Sequence, residues 1–234
     1  MKNIIFSVVT TTYNAETTLE ETILSVVNQK NVQFEYIVID GKSTDNTVNL
    51  LKQYKDKISF WISEPDKGIY DAMNKGLQHA NGDFVIFLGA DDHFASFNTL
   101  NQVANHITSL NSVYYGDVYR NTRNDLYKGK FNKYIISLEN ICHQSIFYPK
   151  CVYKNHSYDL AYKVYADYIY NLTIFPTHQF QYIPIMISYY NYEGFSSKNP
   201  DKEFEKHIDS FIKQQNGILA WLLRKCYLLY KKLR

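Results

Sequence analysis

Two adjacent carboxylates, Asp91 and Asp92, stand just beyond the unbroken apolar run Phe84 to Leu88. A run of that length reads as a strand covered on both faces of a sheet. Carboxylates in the loop after such a strand suit a divalent cation that carries a phosphate. Asp71 and Lys75 lie four residues apart upstream, so on a helix they share one face. That spacing fits either a surface ion pair or a pair facing a ligand, with Lys75 or Lys67 near its phosphates. Downstream, His143-Gln144 falls in the apolar segment ICHQSIFY, and Asp167 in Ala166-Asp167-Tyr168. A carboxylate or imidazole in that half could serve as the base of a transfer reaction; each also has an ordinary structural use, as a surface carboxylate or a hydrogen-bonded core histidine.

The elements that must position these groups are legible as periodicity. Ile4 to Val9, Phe34 to Ile39, Ile58 to Ile62 and Phe84 to Leu88 read as strands. Between them, Leu19, Ile23, Val26 and Val27, then Val48, Leu51 and Tyr54, keep helical spacing, with Asn14 and Ser43 or Thr44 as candidate N-caps. A third helix carries Ile69, Met73, Leu77 and Ala80 on its buried face and is stopped by Asn81-Gly82. Strands and helices alternating at this spacing predict a mostly parallel α/β sheet flanked by helices. Open sheets of that kind bind ligands at the C-terminal ends of their strands, where Asp91 and Asp92 fall. Beyond them the pattern predicts a helix over 97–107, a strand over 112–118, a turn at Arg123-Asn124-Asp125, a strand over 141–148, a loop and helix within 158–175, a last strand over 182–192, and a loop at Gly194 and Ser196-Ser197.

The 234 residues support one sizeable domain, read here as 1–215, with 1–118 as one half, 119–215 as the other, and 216–234 as a tail. The formal net charge of +2 hides an asymmetry. No acidic residue follows Asp209, whereas six basic ones do, leaving the body of the chain net acidic. A nucleic-acid-binding body should carry positive charge on a folded face, so that class is set aside. Three cysteines without C-x-x-C spacing indicate neither a disulfide framework nor a zinc site. The absence of a secretory leader or a long apolar span leads us to expect a cytoplasmic protein. There is no G-x-G-x-x-G after the first strand and no G-x-x-x-x-G-K-[ST], which removes the dinucleotide and P-loop readings.

Together the phrases SEPDKGIYDAMNKG and FLGADD resemble the donor-site and metal-site signatures of family 2 glycosyltransferases of the GT-A fold, in the colanic-acid and capsule-type polysaccharide subgroup. The resemblance extends over about residues 4–120 and more weakly to about 197. It implies a GT-A fold and an inverting hexosyl transfer from a nucleoside diphosphate donor, UDP foremost, to a glycan or lipid-linked acceptor for capsule, O-antigen or a similar polymer. It also implies Mg²⁺ or Mn²⁺ on Asp91 and Asp92. By the same resemblance Tyr13 stacks on the donor base with help from Thr11, Asp40 accepts from the pyrimidine N3–H, and Asp71, Lys75 and Asp91 face the donor. His143 and Gln144 belong to the acceptor side, and Asp167 is the base. Two positions depart from the family pattern. Met73 stands where an Arg is common, and Gly89 replaces the first carboxylate of a D-x-D.

Two other classes fit the sequence less well. A sugar nucleotidyltransferase would want a Gly-rich, cationic loop after the first strand, and TTYNAE has neither feature. A non-catalytic carbohydrate-binding protein would be served by the aromatic content alone, but has no use for the carboxylate pair. In the tail, Ile218, Leu222, Leu229 and Leu233 fall on one side of a helix, with Arg224 and Lys231 opposite. That pattern fits a peripheral contact of 217–234 with the inner face of an anionic membrane, or equally a helix docked on the domain.

Overall fold

The structure, a computed structural model, describes residues 4–191 and 199–233. The loop expected at Gly194 and Ser196-Ser197 lies outside the described residues. In the first half, β1 (Ile5–Thr12), β2 (Gln33–Asp40), β3 (Phe60–Ser63) and β4 (Phe84–Gly89) run parallel in the order β3-β2-β1-β4. Their central residues bury both faces, as an apolar run must: Val9, Ile37 and Phe87 join one core, Val8, Val38 and Ile86 the other. The connecting helices are α1 (Leu19–Val27), α2 (Thr47–Gln53) and α3 (Ile69–His79). Register then fixes what meets at the C-terminal edge. Gly89 pairs with Thr11, Thr12 with Asp40, and Asp40 with Ser63.

The second half continues with β5 (His93–Phe94), α4 (Thr99–His106), β6 (Val113–Arg120), β7 (Asp125–Tyr127), α5 (Ile135–Leu138), β8 (Ile146–Pro149) and α6 (Lys150–Tyr153). It closes with α7 (Ala166–Ile174), β9 (Phe180–Tyr190), α8 (Lys202–Asn216) and α9 (Ile218–Lys232). β8 lies antiparallel between β4 and β6, and β9 pairs parallel with β6, so the parallel sheet becomes mixed as it leaves β4. The strand expected from Ile141 begins only at Ile146. Ser145 bonds back to the Cys142 carbonyl through both its N–H and its hydroxyl, winding His143–Ser145 into a 3₁₀ turn.

The expected caps also act differently. Asn14 adopts φ 49° and accepts from the Thr44 N–H, while Ser43 donates its hydroxyl to Asp40. These short polar side chains stitch the loops after β1 and β2 to each other rather than capping helices. The Gly41 N–H adds a bond to the Thr12 carbonyl at 2.9 Å.

At Gly217, φ 89° turns α8 into α9. α9 has the expected phase but docks by the side opposite its leucines, through Ala220, Trp221 and Arg224. Arg224 is buried and donates to the Ser137 carbonyl at 2.8 Å, Tyr227 reaches Glu139, and Lys225 pairs with Asp209. Leu219, Leu222, Leu223 and Leu229 are left exposed on the far side.

Candidate active site

A cavity of about 540 Å³ opens at the C-terminal edge of β1 and β4. One wall is Thr11, Thr12 and the exposed Tyr13; Gly89, Ala90 and Asp91 form the floor; the start of α3 and residues 160–163 close the remaining sides. Tyr13 lines the cavity and is 63% exposed. Asp71 also lines the cavity, its Oδ2 accepting from the Lys67 N–H at 3.0 Å.

Asp40 does not reach the cavity. It is fully buried, and its carboxylate accepts from the Ser43 N–H, the Ser43 hydroxyl and the Ser63 hydroxyl. Ser43 and Ser63 thereby tie the Gly41–Ser43 turn and β3 to the end of β2. The carboxylate that lines the cavity beside Tyr13 is Asp66. A Cβ on Gly41 would come within 2.5 Å of Asp66 Oδ2, so glycine there is a condition of the close approach. Lys75 does not line the cavity itself; its ammonium holds Glu64 at 2.8 Å and the Pro65 carbonyl at 2.8 Å, and lies 3.9 Å from the cavity-lining Asp71 as the i,i+4 spacing allows. Met73, at the position where the family often has Arg, is 1% exposed and packs in the core.

The two carboxylates after β4 part company. Asp91 opens onto the cavity, and the surrounding protein raises its pKa above the usual carboxylate value through desolvation. Asp92, 2% exposed, turns inward and accepts from the Gly89 N–H at 2.7 Å and from Gln144 Nε2 at 3.0 Å. Burial, and next the charge of Asp91, push its pKa up to about 6. Asp92 thus stands behind Asp91 with its carboxylate held by Gly89 and Gln144. Gly89 makes this possible, since a Cβ there would stand 2.8 Å from Asp92 Oδ2. Gln144, expected at the acceptor, is buried and occupied by Asp92 and Cys142.

Asp167 opens α7, the helix over this edge of the sheet, and is mostly buried. Its Oδ1 lies 3.0 Å from the Tyr70 hydroxyl and accepts from the Tyr168 N–H; Oδ2 accepts from Asn140 Nδ2 at 2.9 Å and faces His143 Nδ1 at 3.3 Å. Desolvation disfavours protonation of His143, but the bond to Asp167 and the charges of Asp167, Asp92 and Asp91 outweigh it and raise its pKa. His143 therefore sits electrostatically between the base expected on α7 and the carboxylate at the cavity floor. Tyr70 joins the two regions, being both cavity wall and partner of Asp167.

Among the described residues, no cluster of three or more His, Cys, Asp and Glu forms a closed metal site. The donor set fits a different kind of site. Mg²⁺ binds through one or two carboxylates when substrate phosphates supply further oxygens, and Asp91 is a cavity-facing carboxylate whose raised pKa a cation would relieve. The residues that sequence reasoning passed over are Asp66, Leu160, Tyr162 and Lys163. Asp66 lay in view within SEPDKG; the others sit in a stretch with no periodicity to mark it.

Comparison with known proteins gives this geometry its family. The sequence model described as Glycosyl transferase family 2 matches residues 7–170. A PGL/p-HBAD biosynthesis glycosyltransferase of Mycobacterium bovis is 33% identical over 230 residues, covering 94% of this chain and 90% of that one. A putative teichuronic acid biosynthesis glycosyltransferase, TuaG of Bacillus subtilis, is 39% identical over a shorter stretch, 37% of this chain and 35% of its own. Among solved structures, S. aureus TarS 1-349 in complex with UDP-GlcNAc superposes with a TM-score of 0.71 at 20% identity, over 90% of this chain and 66% of that one. The mannosyltransferase PcManGT from Pyrobaculum calidifontis, in complex with GDP-Man and Mn²⁺, gives 0.63 at 14% identity, over 97% and 75%. The fold is that of GT-A glycosyltransferases. With a family match over most of its length and a relative one-third identical almost end to end, the chain belongs to glycosyl transferase family 2.

Proposed function

We propose that this glycosyltransferase moves a hexosyl unit, with inversion, from a nucleoside diphosphate donor to a glycan or lipid-linked glycan acceptor in the synthesis of a cell-surface polysaccharide. One observation carries the reading. The cavity at the sheet edge has an aromatic wall at Tyr13 and a carboxylate floor at Asp91, and the Asp167–His143 pair adjoins it through Tyr70. The UDP-GlcNAc complex of TarS supports UDP as the nucleotide, and the Mn²⁺ complex of PcManGT supports a divalent cation. The names of the mycobacterial and Bacillus relatives support a surface glycan as product; neither names a capsule or colanic acid.

In this reading Tyr13 and Thr11 hold the base and Asp91 holds Mg²⁺ or Mn²⁺, which would stabilise the charge of the departing diphosphate. Asp167 takes the proton from the acceptor hydroxyl as it attacks the anomeric carbon. The burial of Asp167 and its bond to His143 favour a second reading, in which His143 takes the proton and Asp167 orients the ring. Replacing His143 by Gln separates them: most turnover survives if Asp167 is the base, and little survives if His143 is.

α9 supports a place at the inner face of an anionic membrane. Its unpartnered side carries Leu219, Leu222, Leu223 and Leu229, with Lys232 nearby, and such a helix lies in the interface plane. Among the described residues no helix is long and apolar enough to cross a membrane.

The reading is tested by thermal shift with UDP-, GDP-, CMP- and dTDP-sugars, with and without Mn²⁺. A ligand that binds only the folded protein raises its melting temperature with its affinity. A shift with a UDP-sugar that grows with Mn²⁺ and shrinks in Asp91→Asn is the expected result. The absence of a shift with every nucleotide sugar would dismiss the donor assignment.

A further inference from the structure

A diphosphate entering this cavity meets three carboxylates, Asp66, Asp71 and Asp91, on its walls. Opposing charge is needed for it to bind, and an ion on Asp91 supplies only part. Of the two lysines the sequence points to, Lys75 is bound to Glu64 and the Pro65 carbonyl and lies 3.9 Å from Asp71, while Lys67 stays at the cavity; Met73 brings no charge where the family often has Arg. Two lysines do line the cavity, Lys67 just before α3 and Lys163 in the second half of the chain. Neither enters an ion pair among the described residues.

We propose that Lys163, contributed by the acceptor half, is the side chain that binds the donor diphosphate. The proposal rests on the reading of the cavity as a nucleoside diphosphate site. Its support is the way the backbone carrying Lys163 is fixed. Residues 158–164 form a strap pinned to α3 at both ends. Asn74 exchanges two hydrogen bonds with the Tyr158 backbone, at 2.8 and 2.9 Å, and the Tyr70 hydroxyl reaches the Val164 carbonyl at 2.6 Å. Asp201, buried at the start of α8, backs the strap by accepting from the Val164 N–H at 2.8 Å and the Tyr165 N–H at 3.2 Å. Between the pins, Leu160, Tyr162 and Lys163 all line the cavity.

A lysine alone is a mobile point charge, and ordering it costs rotamer entropy. Pinning the backbone on either side reduces the part of that cost that arises from the loop. The diphosphate would then lie between an ion on Asp91 and the ammonium of Lys163, with α3 as the shared support. The two halves of the domain become a single donor site, and Asn74 acquires a role as the residue that holds the strap.

The test compares UDP with uridine, which lacks the diphosphate, by calorimetry in the presence of Mn²⁺. Lys163→Met should weaken UDP at least about tenfold, as loss of a hydrogen bond to a charged group does, and leave uridine within twofold. Asp201→Asn, which loosens the strap without touching Lys163, should shift UDP in the same direction and by less, again sparing uridine. UDP affinity unchanged in Lys163→Met would overturn the inference while leaving the donor reading intact. Equal losses of UDP and uridine would also overturn it, since the lysine would then be supporting the cavity as a whole. Wild-type protein that binds no nucleoside diphosphate would remove the donor reading and this inference together.

Discussion

Gly41 and Gly89 show how absent side chains shape this site. Gly41 has Asp66 Oδ2 where its Cβ would be, and Asp66 is the flexible partner of that contact. Gly41→Ala should therefore displace Asp66 and weaken UDP binding severalfold while shifting the melting temperature little, measured by calorimetry and thermal denaturation on one preparation. Asp92 gives a second residue-scale prediction, with a definite sign. Its folded-state pKa is raised to about 6, so the folded protein prefers the protonated form. That contribution to stability is present below the unfolded value near 4 and is lost as pH rises through about 6. The loss amounts to at most about 3 kcal/mol at 1.4 kcal/mol per unit. Asp92→Asn, measured without added metal, should flatten the stability–pH curve between pH 4 and 7. An unchanged slope in the variant would assign that slope to other groups.

At the scale of elements, α9 separates the two uses of an amphipathic helix. The side opposite its leucines is the docked one: Ala220 and Trp221 pack on the core, Arg224 meets Ser137, and Asn216 at the end of α8 meets the same residue. Arg224→Ala leaves the Ser137 carbonyl without its partner and should lower stability by about 1–3 kcal/mol. The Leu222→Asp, Leu229→Asp pair alters only exposed positions, where substitutions change stability by about 0.5 kcal/mol or less each. It should keep the melting temperature and abolish sedimentation with anionic liposomes. Sedimentation that persists in that variant would turn the exposed leucines into a surface for some other partner. The helix and its phase were visible in the sequence because leucines repeat at helical spacing. Which side docks was not, because periodicity cannot reveal that a buried arginine finds a carbonyl at position 137. The strands fared similarly. β1, β2 and β4 announce themselves as buried apolar runs, whereas β8 was read too long because the turn at His143–Ser145 depends on a local bond from Ser145 to the Cys142 carbonyl.

Across the whole molecule, the first half is written in short-range patterns and the second in long-range contacts. Strand ends and a helix start deliver Thr11, Tyr13, Asp71 and Asp91 to one cavity, the four residues that the family resemblance groups. Asp40, Lys75, Asp92 and Gln144 were legible as chemistry but not as placement, since each spends its polar atoms on neighbours within the fold. The strap over 158–164 was invisible because its anchors lie on α3 and α8, far away in sequence. The account as a whole requires that donor binding, at Tyr13, Asp91 and Lys163, be separable from proton transfer at Asp167, the two joined at Tyr70. The most direct measurement is release of nucleoside diphosphate from the best-binding sugar donor by Asp167→Asn, with nucleotide affinity determined on the same sample. The account predicts turnover reduced by about 10²–10⁴, the usual worth of a positioned base, with affinity within about twofold of wild type. Turnover above about a tenth of wild type, or affinity that falls in step with it, would contradict the division of labour described here.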